Sequence, residues 1–181
     1  MNRKLFLSAG HFWGDSGAAG INGRCENNET IRLRNAIIAR LEAGICLTVD
    51  DDTESLAEYL SRIHPGEDSL LLELHFDAAG GNASGCTAFY KNDVNGRSRS
   101  VAARLAASAA AALQLKCRGA KPESESNRKR LAFLHQRGTA VLLEVCFIDN
   151  PADMAKYDAR FDELVTALAG CLNTLMLNRQ Y

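Results

Sequence analysis

The clearest pattern along the chain is the run Leu70-Leu71-Leu72-Glu73-Leu74-His75-Phe76-Asp77, almost unbroken in apolarity until it reaches a histidine and an aspartate. A strand with one wet face alternates polar and apolar residues, whereas a run of this kind marks a strand covered on both faces, as in a parallel sheet. Two other runs share the design. Leu5-Phe6-Leu7-Ser8-Ala9-Gly10 leads to His11, and Ala140-Val141-Leu142-Leu143 leads to Glu144. Each delivers a side chain able to bind a metal at or near its carboxyl end, the edge at which open α/β sheets hold ligands.

Between these runs the period lengthens. Asn27 or Asn28 can cap a helix whose apolar positions Ile31, Ile37, Ile38 and Leu41 recur at helical spacing, with Gly44 as its stop. Residues 45–49 read as a short strand, residues 55–63 as a helix, and Pro65-Gly66 as the turn into the central run. Residues 86–90 read as a strand, 92–96 as a turn, and 99–115 as an alanine-rich helix of high intrinsic propensity. The polar, strongly charged residues 116–130 predict an exposed loop, and residues 131–134 a short strand; Pro151 opens a short helix and residues 161–177 form an amphipathic one. This alternation predicts a single α/β domain over residues 1–181, with a six-stranded, mostly parallel, twisted sheet flanked by helices.

Composition then narrows the partners. Lys and Arg number 21 against 22 Asp and Glu, a net charge of −1, so there is no basic excess to hold nucleic acid or an anionic membrane. The apolar stretch after Arg3-Lys4 stops at Ser8, too short for an export signal, and the alanine run at 106–112 is bounded too closely by Arg104 and Gln114 to span a bilayer. The expectation is a monomer made in the cytoplasm without a signal peptide and not inserted in a membrane. The six cysteines show no CxxC spacing and read as free thiols.

His11, His75, Glu144 and one further carboxylate, for which Glu26 is a candidate, would satisfy metal-assisted hydrolysis: ligands for the ion, and a base that is not a ligand. Taken singly, a strand-end histidine is an ordinary hydrogen-bonding residue, and Glu26 an ordinary acid at a helix start. Glu144 is the exception, because an acid inside an apolar strand is costly to bury without a task. His64 and His135 sit in contexts unlike those of ligands.

The residues in order carry a resemblance. Ser8-Ala9-Gly10-His11, Asp15-Ser16-Gly17-Ala18, Asn22-Gly23-Arg24-Cys25-Glu26, Leu74-His75-Phe76-Asp77-Ala78, Gly85-Cys86-Thr87-Ala88-Phe89-Tyr90, Arg118-Gly119 and Leu143-Glu144-Val145-Cys146-Phe147-Ile148-Asp149-Asn150 with Asp153 together resemble the zinc-dependent N-acetylmuramoyl-L-alanine amidases. The resemblance implies hydrolysis of the amide between the lactyl group of muramic acid and L-alanine in peptidoglycan. It implies one Zn2+ per chain held by His11, Glu26 and His75, with Glu144 as catalytic acid/base. Arg118 and Asp77 become candidate substrate contacts, and the basic stretch around Arg118 could meet anionic stem peptides.

The chain also departs from that pattern. Many relatives carry an arginine after the strand matching residues 45–49, where this chain has Asp50-Asp51-Asp52, and a serine and asparagine around the second histidine, where it has Glu73 and Asp77. Glu73 shares a strand face with His75, so it can orient that ring or compete for the ion. Cys25 offers a thiol beside Glu26. The overall expectation is a peptidoglycan amidase of the wall-lysing endolysin kind. The alternatives are another zinc peptidase or carboxypeptidase on the same scaffold, or a non-catalytic peptidoglycan-binding regulator.

Overall fold

Strands that are apolar on both faces need cover on both sides, and the molecule provides it unequally. The structure, a computed structural model, describes residues 3–92 and 96–177. Among these, β1 (Lys4–Ala9), β2 (Cys46–Val49), β3 (Leu70–Asp77), β4 (Cys86–Tyr90), β5 (Cys117–Pro122) and β6 (Thr139–Phe147) form one sheet in the order β2-β1-β3-β6-β4-β5. Every neighbouring pair is parallel except β4 with β6. The helices are α1 (Glu26–Ile38), α2 (Leu56–Arg62), α3 (Arg97–Leu113), α4 (Pro151–Ala159) and α5 (Phe161–Leu177). No helix among the described residues is long and apolar enough to cross a membrane.

Alternate strand residues divide between two cores. Leu5, Leu7, Leu72, Leu74, Val141 and Leu143 join the larger one, beneath α1, α3, α4 and α5. Alanines 102, 106, 109 and 110 on α3 are buried there, and their short side chains let that helix lie close to the sheet. Phe6, Leu71, Phe89, Ala140 and Leu142 point the other way, into a smaller core closed by Tyr59 and Ile63 from the α2 region and by Phe133 and Leu134. Along this second face the strands become polar toward their carboxyl ends: Ser8 follows Phe6, Glu73 and His75 follow Leu71, and Glu144 follows Leu142.

Most expected elements are present, with three corrections. Residues 131–134 do not form a strand; Ala132–His135 is a 3-10 turn that plugs Phe133 and Leu134 into the smaller core, and a four-residue apolar run does not distinguish the two. The sixth strand is β5, inside the stretch expected to be an exposed loop, where it lies half-buried at the sheet edge and hydrogen-bonds to β4. Helix α1 starts at Glu26 with Cys25 at its N-cap, two or three residues earlier than a cap at Asn27 or Asn28 implies, and ends at Ile38 before the turn that reaches Gly44. Residues 93–95 of the expected turn lie outside the described residues. The six cysteines form no disulfide.

Candidate metal centre

β1 ends at Ala9, and the chain turns through Gly10 into His11, whose φ of 68° is a left-handed conformation that non-glycine residues seldom adopt outside functional sites. Two glycines make the approach possible. A Cβ on Gly10 would lie 2.4 Å from the His75 ring, and one on Gly17 (φ +65°) would lie 2.5 Å from the His11 ring and 2.7 Å from Glu26 Oε2. Glu26, in the first turn of α1, ties three segments together: its carboxylate accepts the Ala18 N–H at 2.8 Å and the Phe76 N–H at 3.0 Å. Its oxygens also face both imidazoles, His75 Nδ1 at 2.8 Å and His11 Nε2 at 3.1 Å.

Each ring is held from behind by another acid. Asp15 Oδ2 lies 2.7 Å from His11 Nδ1, and Glu73 Oε2 lies 3.3 Å from His75 Nε2. These carboxylates leave His11 Nε2 and His75 Nδ1 aimed at the same place, which Glu26 also faces. One atom from each of His11, Glu26 and His75 lies within 4.8 Å of the others, the one such cluster among the described residues. Two imidazoles and a carboxylate are a donor set that zinc accepts, with room for a further ligand.

The electrostatics follow from crowding charge into a buried corner. Burial alone would raise the Glu26 carboxyl, but the hydrogen bonds and charges of His11 and His75 outweigh it and hold the group well below the usual carboxylate range. Burial disfavours charge on His11, yet Glu26 and Asp15 raise its pKa; His75 is raised further, also against burial, by Glu26 and Glu73. In the absence of an ion the carboxylates hold protons on the rings where a cation would otherwise serve.

Glu144 stands apart from this cluster. It lies directly across from His75 in the β3–β6 register and from Thr87 in the β6–β4 register, so His75, Glu144 and Thr87 form one transverse row. Its Oε2 is buried with no hydrogen-bond partner, and burial pushes its pKa up to about 8. Arg118 reaches the row from the far edge. Cys86 pairs with Cys117 but Thr87 with Gly119, so Arg118 is the extra residue of a bulge, a feature that re-aims a side chain. Its guanidinium donates to Thr87 Oγ1 at 3.1 Å and lies 5.0 Å from the centre of the Phe147 ring. Asp77 is raised by burial although Arg118 lowers it. His75, Asp77, Thr87, Arg118, Glu144 and Phe147 line one cleft of about 810 Å³ together with His11 and Glu26.

The structure thus brings together His11, Glu26, His75, Glu144, Glu73, Asp77 and Arg118. Cys25 is not in the ligand cluster; its Sγ lies 4.0 Å from the Gly23 carbonyl oxygen. His135 pairs with Glu123 at 2.9 Å. Sequence reasoning passed over two supports. Asp15 is the fourth residue after His11, a spacing that could have marked it as the ring's partner. The other is Arg34 with Asp50 and Asp52: Arg34 Nη1 lies 2.8 Å from Asp50, and its other terminal nitrogen meets Asp52. Asp50 accepts the Ala9 N–H (3.1 and 3.2 Å to its two oxygens), which braces the last residue before the His11 turn. Burial pushes Asp50 up to about 6 in spite of Arg34.

Comparison with known proteins places the sequence and its fold. The sequence profile of N-acetylmuramoyl-L-alanine amidases matches residues 5–172. Comparison with curated protein sequences gives no significant match. Among solved structures, the chain is similar to the N-acetylmuramoyl-L-alanine amidase of Clostridium difficile 630 (20% identity, TM-score 0.80, 99% of each chain covered). It is also similar to the amidase AmiC2 of Nostoc punctiforme (17% identity, TM-score 0.78, 97% of this chain and 98% of that one). A third similar structure is the catalytic domain of an endolysin targeting Clostridia difficile (25% identity, TM-score 0.73, 99% of each chain). With the profile spanning nearly the whole length and the sheet, cleft and His-Glu-His cluster in place, the chain belongs to the N-acetylmuramoyl-L-alanine amidase family.

Proposed function

We propose that the chain is a single catalytic domain that hydrolyses the amide between the muramic acid lactyl group and L-alanine of peptidoglycan, using one zinc ion held by His11, Glu26 and His75. The observation that carries this reading is the convergence of those three donors beside a buried, unpartnered carboxylate, Glu144, in a member of an amidase family. When bound, zinc would supply Lewis-acid polarisation to the scissile carbonyl and to the attacking water. Glu144 takes the water's proton, with its free Oε2 as the accepting atom, and passes it to the nitrogen of L-alanine, which cannot leave as an amide anion. Burial raises the proton affinity of Glu144, which makes its ionised form a strong acceptor, and a cation held at the neighbouring ligands would favour that ionised form before the transfer.

The neighbours support the same chemistry. Asp15 and Glu73 fix the ring orientations of His11 and His75, which makes Glu73 a positioning residue rather than a ligand. Arg118, anchored on Thr87 and Phe147, and Asp77 border the row and are the substrate contacts. A role in wall lysis is supported by the similarity to an endolysin's catalytic domain. The test is mass spectrometry of sacculi incubated with metal-loaded protein beside a chelator-treated control. Stem peptides beginning with L-alanine, released only with metal, are expected. Cleavage inside the stem would replace the substrate by that of a zinc peptidase, and intact muropeptides would leave a binding protein.

A further inference from the structure

The cleft that holds the metal centre is divided by charge. On the β1, β2 and α2 side its acids are all engaged: Asp15 with His11, Asp50 with Arg34, Glu54 with Arg62 and Glu73 with His75. The opposite wall is formed by β5 and the segment that follows it, and it contributes Lys121, Arg128 and Arg130. Lys121 lies in the row Glu73, Leu142, Phe89, Lys121, two residues along the strands from the row of Glu144 and Thr87 and on the same face. None of these three cations has an anionic partner among the described residues, and Glu125 on the same wall can offset only one of them.

This wall is held in shape. Glu123 accepts the Leu131 N–H at 2.8 Å and faces His135 Nε2 at 2.9 Å, while its carbonyl oxygen accepts Ser126 N–H and Oγ–H at 2.9 and 2.6 Å. The Lys129 N–H closes on the Ser126 carbonyl at 3.2 Å. The segment is thus stapled at both ends, with exposed Arg128 and Arg130 carried between the staples.

Resting on the amidase reading above, we propose that Lys121, Arg128 and Arg130 form the stem-peptide subsite and select stems whose side-chain and backbone carboxylates are free over stems in which they are amidated. An isoglutamate or diaminopimelate carboxylate downstream of the scissile bond meets unpaired cations on this wall, whereas a carboxamide gains no ion pair there. The direction of the substrate follows: the stem lies toward β5 and the glycan toward β1.

The test compares disaccharide-tripeptides carrying free isoglutamate and diaminopimelate carboxylates with the same compounds amidated, using the metal-loaded protein. Three surface-accessible pairs of modest strength predict a preference in kcat/KM of about tenfold for the free acids. In the double variant Arg128→Gln/Arg130→Gln the preference is expected to shrink to within about threefold, and in the parent protein to weaken as salt is raised. Arg137→Gln removes one charge at Glu67, outside the cleft, and is expected to keep the preference. Equal rates on both substrates, or a preference untouched by the double variant, would overturn the proposal. Absence of cleavage of either compound would instead overturn the amidase reading on which it rests.

Discussion

The two faces of the sheet are made by the same strands yet solve different problems. Toward α1, α3, α4 and α5 the strand side chains are apolar or, as at Cys86, Tyr90 and Cys146, packed among apolar neighbours, and no carboxylate, imidazole, lysine or arginine interrupts the core there. Toward α2 and the 132–135 turn the apolar cover stops halfway, and Ser8, Glu73, His75, Glu144 and Thr87 occupy the positions that another turn of cover would have buried. The first face supplies stability; the second gives some up by placing charges and an unpartnered carboxylate at low dielectric. The site is therefore a place where cover is withheld from one half of one face, not an addition to a finished core.

If that division holds, substitutions should separate by face. The largest effect is expected from Glu144→Gln, which keeps shape and removes the proton acceptor: release of stem peptides falls by about 10²–10⁴-fold, while the melting temperature stays level or rises because a buried acid has been neutralised. Retained turnover would remove Glu144 from the mechanism. Leu72→Ala, on the closed face of β3, should do the opposite, costing about 2–5 kcal/mol in denaturant unfolding with kcat nearly unchanged in the fraction that remains folded. A large loss of kcat there would mean the closed face also sets the site's geometry.

The two remaining predictions sharpen the open face. Glu73→Gln should weaken metal binding by about tenfold or more in a chelator competition, since an amide holds the His75 ring less firmly than a carboxylate; unchanged affinity would leave Glu73 as a merely packed acid. The smallest effect is on pH. Glu144 has a folded pKa of about 8 against an ordinary 4.5, so across that window the folded chain keeps a proton the unfolded chain has lost, and the metal-free protein loses stability as pH rises. His11 and His75, both raised, have the same sign above 6.5, whereas the lowered Glu26 withdraws stability only as pH falls below the carboxylate range. Melting of chelator-treated protein should drop by a few degrees from about pH 6 to about pH 9, less so in Glu144→Gln, and a flat profile in the parent would contradict the burial of that acid.

The strands that carry His11, His75 and Glu144 were legible because burial on both faces leaves a continuous apolar run, against which a charged residue stands out. β5 was not legible. It is an edge strand with one partner, so Arg118 and Lys121 reach water or the cleft and the segment reads as a loop. The candidate ligand cluster could be named from a resemblance, but spacing in the chain did not contain it, because Glu26 meets His75 across 49 residues through the sheet. Nor was the Arg34 pairing with Asp50 and Asp52 visible, since it joins the outside of one helix to the end of a neighbouring strand. A carboxylate run after a short strand reads as solvated unless the cation that faces it is known.

The bulge at Arg118 bears on which lengths of this chain can be edited. An extra residue in β5 is accommodated at the sheet edge by leaving one side chain out of the pairing, and the register on either side recovers. The same insertion within Thr139–Glu144 would have no edge to escape to, because β6 is paired on both sides. It would turn Glu144 onto the closed face and present a leucine to the cleft. Gains and losses of sequence are thus expected to be tolerated at the free edge of β5 and excluded within β6, so that the outer strand can be remodelled for new substrates while the inner ones keep count for the chemistry.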